Sequence, residues 1–184
     1  MEIKKGDILL VHSYGIMGRI IQFGMNLEKW LRFDFKWHKI YNHAAIAIQD
    51  GVISEALAKG ITPHTFEKAY GSSKNKELVI YRPDWTEEEL WNLPIIALEY
   101  DKVNYQFLNF IQYIPKIFLG VWLGRTHKKS QNKLYCTEYV GLVVHRLRNY
   151  LFKRYWRTSP NDIGEWCVKE CKKIAEYKLW VIKI

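Results

Sequence analysis

Cysteine, proline and glycine are all sparse in this 184-residue chain, at 3, 5 and 11 residues. Three cysteines are an odd number and too few for a disulfide scaffold, so free thiols and a reducing compartment are expected. The glycine and proline counts exclude collagen-like and low-complexity classes. Long apolar runs are also missing. The longest stretch, Ile111 to Gly124, is interrupted by Pro115 and Lys116 and is too short to span a bilayer. The polar start, Met1 to Asp7, has no apolar segment behind it. No signal peptide is therefore expected, and the cytoplasm is the default expectation, with release by lysis or a partner as the alternative. No internal repeat and no Gly/Ser linker occur. Cys167 and Cys171, four apart on a predicted helix, read as packing residues, because a metal would need more ligands than the surrounding sequence offers. No metal and no cofactor are expected.

What the chain does have is apolar mass. Hydrophobic residues make up 48% and aromatics 15%, which excludes intrinsic disorder. At this length one domain over residues 1–184 is expected, large enough to bury roughly 70% of its unfolded surface. Acidic residues are outnumbered, 19 against 28 Lys plus Arg, for a net charge of +9. That excess suits an anionic partner such as a lipid headgroup surface or nucleic acid, or serves solubility alone. Basic residues concentrate at Arg125–Lys133 and Arg146–Arg157, the second run interleaved with Tyr150, Phe152, Tyr155 and Trp156. Interleaved arginines and aromatics suit single-stranded nucleic acid, although such a run is more often an amphipathic helix end with a wet face.

The coarse pattern is strands first, helices after. Asp7–His12 reads as a strand, and Ile16–Leu31 as an amphipathic helix with apolar residues three and four apart. His43–Ile48 and Val52–Leu57 read as a hairpin around Gln49-Asp50-Gly51, with Leu78–Arg82 a further strand. Thr86, followed three residues on by Glu89, has the signature of a capping box opening a helix that runs to about Tyr100, with Pro94 a possible kink site. Leu134 to Phe152 carries the cleanest helical stripe: Cys136, Tyr139, Val140, Val143, Leu147 and Leu151. Ser159-Pro160-Asn161-Asp162 opens another helix or turn, and a last strand is expected at Leu179–Ile184. Helices packed on one antiparallel sheet make an α+β domain.

Three residues in this arrangement could carry chemistry. Cys136 opens the periodic helix, where the dipole and free N–H groups favour thiolate. A small buried core cysteine is the bland alternative. His43 opens a strand and could lean over the sheet edge to take a proton from Cys136 and return it to a leaving group. Glu55 interrupts an apolar strand, and a buried acid needs a partner. Register decides whether His43 is that partner. A two-residue Asp50-Gly51 turn pairs residues summing to 101 and sets Glu55 opposite Ile46, away from His43. A three-residue turn with left-handed Gly51 pairs residues summing to 100 and sets Glu55 opposite Ala45, on the face of His43.

Gly6-Asp7-Ile8-Leu9, Ile20-Ile21-Gln22, Asn42-His43-Ala44-Ala45-Ile46, Val52-Ile53-Ser54-Glu55-Ala56 and Tyr135-Cys136-Thr137-Glu138-Tyr139-Val140 follow one another in a familiar order. Val79–Pro83 and Ser159–Ile163 extend it. The chain resembles the circularly permuted, papain-like cysteine hydrolases of the NlpC-type superfamily, the YiiX-like group. The resemblance implies a papain-like sheet with the nucleophile helix after the strands, Cys136 as nucleophile, His43 as general base and Glu55 as the carboxylate that orients it. It also puts Tyr135, Asn42 and Tyr105 forward as substrate-binding residues. The group often has Ser where this chain has Asn42 and Thr137. Its Tyr-Asp pair is matched by context at Tyr105-Gln106, with Tyr100-Asp101 just upstream.

The function these readings favour is a thiol hydrolase cleaving a peptide amide, of the cell-wall kind by resemblance, through an acyl-enzyme. A second reading keeps the nucleophile but turns it on acyl lipids at an anionic membrane surface, with Ile111–Gly124 as the interfacial segment. A third is a non-catalytic basic module for nucleic acid or membrane. Oligomeric state and the scissile bond are not written in the sequence.

Overall fold

The structure is a computed structural model that describes residues 2–15, 19, 22, 23, 26, 41–57, 59–71, 76–105, 133–149, 151, 152 and 154–179. The segment Ile111–Gly124 and most of the predicted helix Ile16–Leu31 lie outside them. Of the latter, Arg19, Gln22, Phe23 and Asn26 are helical.

Six strands form one antiparallel sheet: β1 (Ile8–Ser13), β2 (His43–Gln49), β3 (Val52–Leu57), β4 (Gly60–Thr65), β5 (Lys76–Arg82) and β8 (Lys172–Leu179). Their spatial order is β4-β3-β2-β1-β5-β8. A second, parallel pair joins β6 (Asn104–Tyr105) to β7 (Lys133–Leu134). Among the described residues three α-helices have both ends in view: α1 (Glu87–Leu98), α2 (Cys136–Leu147) and α3 (Pro160–Glu170). The α+β expectation, helices against an antiparallel sheet, describes this architecture.

Both faces of the sheet are covered, which explains why β1 reads as an unbroken apolar run, Ile8 to Val11. Ile8, Leu10, Ala44, Ile46, Val79 and Tyr81 face the helices, where they meet Leu93, Tyr139, Val140, Val143 and Ile163. Leu9, Val11, Ala45, Ala47, Ile53, Leu78 and Ile80 fill a second core with Ile3 and Tyr70. Each fully buried Leu or Ile contributes about 1.5–3 kcal/mol. Helix α2 lies across β2 and β3, and α1 packs on α2.

Local signals set the helix ends. Thr86 accepts from the Glu89 backbone while the Glu89 carboxylate accepts from Thr86 N–H, the expected capping box. Ser159 and Asp162 repeat that arrangement at α3, with Pro160 in its first turn. Helix α2 opens at Cys136 as its stripe predicts and ends at Leu147, short of Leu151. Tyr135 is extended (φ −100, ψ 169), and Arg148 leaves helical geometry (φ −125, ψ 88).

Two strands depart from the sequence reading. The last described strand begins at Lys172, earlier than the expected start at Leu179, and runs to Leu179; the rest of the expected strand Leu179–Ile184 lies outside the described residues. Its charge-rich sequence suits the sheet edge it occupies, where lysines discourage pairing with other chains. Strand β4 was not foreseen, because Pro63 sits inside it. Proline is tolerated at an edge, and β4 is the opposite edge strand. Gly60 opens β4 at φ +108, and a Cβ there would sit 3.0 Å from the Val103 carbonyl oxygen.

Candidate active site

The site is built where β2, β3, β4 and the start of α2 converge. Its first requirement is the position of His43. Asn42 N–H donates to the Val11 carbonyl at 2.9 Å. The Asn42 side chain accepts from Ser13 N–H at 3.0 Å and donates to the Ser13 carbonyl at 2.9 Å. The end of β1 thus clamps the start of β2, and His43 stands opposite Val11.

The hairpin decides where Glu55 goes. Gln49 pairs with Val52 next to the turn, with Gly51 at φ +69. An irregularity between Ala47 and Gln49 then slips the ladder by one, so Ala47 pairs with Ile53 and Ile46 with Ser54. Continued along the strands, that register sets Glu55 opposite Ala45 and on the same face as His43. The hairpin thus begins in one of the two registers weighed from the sequence and ends in the other.

His43 Nε2 hydrogen-bonds Glu55 Oε2. Two further groups share the carboxylate: His64 Nε2 lies 2.7 Å from Oε1, and the Tyr70 hydroxyl donates to Oε2 at 2.9 Å. His64 comes from β4, diagonal to Glu55 across the pair Glu55–Thr62. Tyr70 comes from a π-helical turn, Glu67–Gly71. The Glu55 side chain is 4% exposed and that of His43 20%, so solvent meets the imidazole before the carboxylate.

Cys136 approaches His43 from the first position of α2, where it is buried and close enough to act on the charge of the imidazole. The Thr158 carbonyl helps to pin the start of α2: it accepts from Tyr135 Oη at 3.0 Å and Thr137 Oγ1 at 2.8 Å. Tyr135 makes no side-chain cap, so the first N–H groups of α2 are not taken by its capping residue.

These contacts set the charges. Burial opposes charging His43, yet Cys136 and Glu55 outweigh it and raise its pKa from 6.5 to about 10. Burial would also raise Glu55, but the His43 charge and the hydrogen bonds from His43, His64 and Tyr70 hold its carboxyl far below the usual range. Burial, and then the neighbouring Glu55 charge, keep the Tyr70 hydroxyl protonated as a donor. The arrangement favours the charged form of an imidazole set between a sulfur and a carboxylate.

Cys136, His43 and Glu55 are therefore together. Of the residues put forward for substrate binding, Tyr135 has its hydroxyl on the Thr158 carbonyl, and Asn42 has both ends of its amide on the Ser13 backbone. Tyr105 contributes its backbone to β6, opposite Leu134 and so two residues from Cys136; its side chain lies outside the described residues. His64 and Tyr70 were missed. The available signal was Glu55 itself, since a buried carboxylate has room for more donors than one imidazole supplies.

Elsewhere, the second basic run is partly tied up within the molecule. Arg146 pairs with Glu99, and Arg148 reaches Glu89 at 2.6 Å and Asp84 at 3.2 Å. Among the described residues no helix is long and apolar enough to cross a membrane.

No protein-family model matches the chain, and no curated protein matches it. The chain is similar in structure to the crystal structure of the metalloprotein yiiX from Escherichia coli O157:H7, with a TM-score of 0.60 and 15% identity. The match covers 96% of this chain and 98% of that one. The fold is YiiX-like; at such low identity the likeness shows the fold alone.

Proposed function

We propose that this protein is a thiol hydrolase, a permuted papain-like domain over residues 1–184, that cleaves an amide through an acyl-enzyme. The observation that carries the reading is His43, flanked by Cys136 on one side and Glu55 on the other. With Nε2 on Glu55, the imidazole keeps Nδ1 for the sulfur, and the carboxylate fixes that tautomer.

In the reaction, Cys136 Sγ attacks the carbonyl carbon and its electron pair forms the C–S bond. The oxyanion of the tetrahedral intermediate meets the Cys136 backbone N–H at the uncapped start of α2. His43 donates its Nδ1 proton to the departing amine as the C–N bond breaks. Water then attacks the thioester and gives its proton to His43, and the acid leaves as the thiol is restored. Glu55 stabilises the imidazolium throughout without taking the proton. The +9 charge suits a substrate that carries anionic groups, among them cell-wall peptides.

yiiX is a metalloprotein, which raises a metal as an alternative for this site. The donors do not fit one here. His43 and His64 aim their Nε2 atoms at the two oxygens of Glu55 rather than at a common point. Among the described residues no group of three or more His, Cys, Asp or Glu side chains could hold a metal ion.

Iodoacetamide labelling across pH, read by mass spectrometry, tests the proposal. Cys136 alone should be alkylated well below pH 8, because only a thiolate reacts. Equal labelling of Cys136, Cys167 and Cys171 with an ordinary thiol profile would end the hydrolase reading.

A further inference from the structure

We propose that His64 and Tyr70 are positioning residues that hold Glu55 in the one orientation His43 can use. This rests on the hydrolase reading and deepens it. A carboxylate turns easily about its last torsion, which is broad and two-fold. One hydrogen bond from His43 would leave that rotation and the second oxygen free. Here the second oxygen is occupied: Oε1 lies 2.7 Å from His64 Nε2. The first oxygen is shared, since Oε2 accepts from Tyr70 at 2.9 Å as well as from His43. With both oxygens bound, by groups from separate elements, rotation of the carboxylate would break bonds at each of them.

The two supports are themselves anchored. His64 stands on β4, whose register with β3 runs unbroken from Val52–Thr65 to Leu57–Gly60. Tyr70 is 3% exposed in the second core, its ring 5.6 Å from that of Phe66, with Lys76 Nζ 5.3 Å from the ring centre. It is delivered by a π-helical turn, a rare geometry that is frequent at functional sites. Outer partners of this kind orient the group that does the chemistry and set its basicity. Neither side chain needs to touch substrate. Their effect passes through Glu55 to His43 and from there to the sulfur.

Cys136 alkylation by iodoacetamide reads that chain of contacts. Measured from pH 5 to 9, His64→Ala should slow Cys136 labelling about tenfold on the acid side and leave the alkaline rate alone, the loss expected for one hydrogen bond to a charged group. Tyr70→Phe, which removes only the hydroxyl, should slow it in the same sense. His64→Gln, whose amide N–H can stand where Nε2–H stood, should restore the parent profile to within about twofold. A merely structural role would instead speed labelling of all three cysteines as the fold loosens. A His64→Ala profile that matches a parent reactive at low pH overturns this proposal alone, as does His64→Gln falling as far as His64→Ala. A parent whose Cys136 behaves as an ordinary thiol overturns the hydrolase reading, and this proposal with it.

Discussion

Tyr139 of α2 donates its phenolic hydrogen to Ser54 of β3, with 2.8 Å between the oxygens. Tyr139 lies three residues from Cys136, and Ser54 is the neighbour of Glu55 on the opposite face of the strand. One buried hydrogen bond thus ties the helix that carries the sulfur to the strand that carries the carboxylate. The site depends on such cross-element ties.

Removing the sulfur should change the imidazole. After burial, Cys136 is the largest influence on His43. In Cys136→Ala the His43 pKa should fall from about 10, since burial remains and only Glu55 still opposes it. Imidazole nitrogen shifts followed by NMR across pH check this. An unmoved midpoint would mean that the thiol does not act on His43.

The same ionisations shape stability. His43 is raised from 6.5 to about 10, so its contribution is complete below pH 6.5 and is lost as pH climbs towards 10. Glu55 is lowered from 4.5, so its contribution is complete above pH 4.5 and is lost as pH falls through its folded value. Melting temperature should therefore be highest between about pH 4.5 and 6.5 as far as this pair decides it. His43→Gln should flatten the alkaline limb in calorimetry, and an unchanged limb would count against the pairing.

Glu55→Gln should destabilise the fold by about 3 kcal/mol, because an amide offers one acceptor where three donors converge and turns its own N–H2 on one of them. Urea unfolding measures the loss. A change under half that size would mean that the three donors find water readily.

Asn42→Ala removes both side-chain bonds to the Ser13 backbone and should cost about 2 kcal/mol, as expected for a buried clamp. Denaturant midpoints of the variant and parent test it. A stability equal to the parent's would free Asn42 for the substrate-binding role that the resemblance suggests.

Ser159→Ala breaks the capping box of α3 and should cost about 1 kcal/mol. The cost matters for the site because Thr158, the preceding residue, holds Tyr135 and Thr137 at the start of α2. The thermal midpoint gives the first effect, and a rise in Cys136 labelling at alkaline pH would reveal the second.

Much of the fold was legible along the chain. Capping at Thr86 and Ser159, the apolar run of β1 and the stripe of α2 are local signals, written within a few residues and obeyed by the structure. The edge strands were not legible in the same way. β4 holds Pro63 and β8 is rich in charge, and both become strands only because a sheet offers them an edge.

From its sequence alone the chain determined which residue types were available: a sulfur at a helix start, a histidine at a strand start, and an acid inside an apolar strand. Those are facts of local order. Only the tertiary structure decided that the three would meet, and who else would join them. A one-residue slip between Ala47 and Gln49 turns Glu55 to the face of His43. An unforeseen edge strand and a π-helical turn then bring His64 and Tyr70 to the same carboxylate. The physical reason is that a buried charge is satisfied by whatever donors the packed chain brings within hydrogen-bond distance, and those donors come from segments that sequence spacing does not connect.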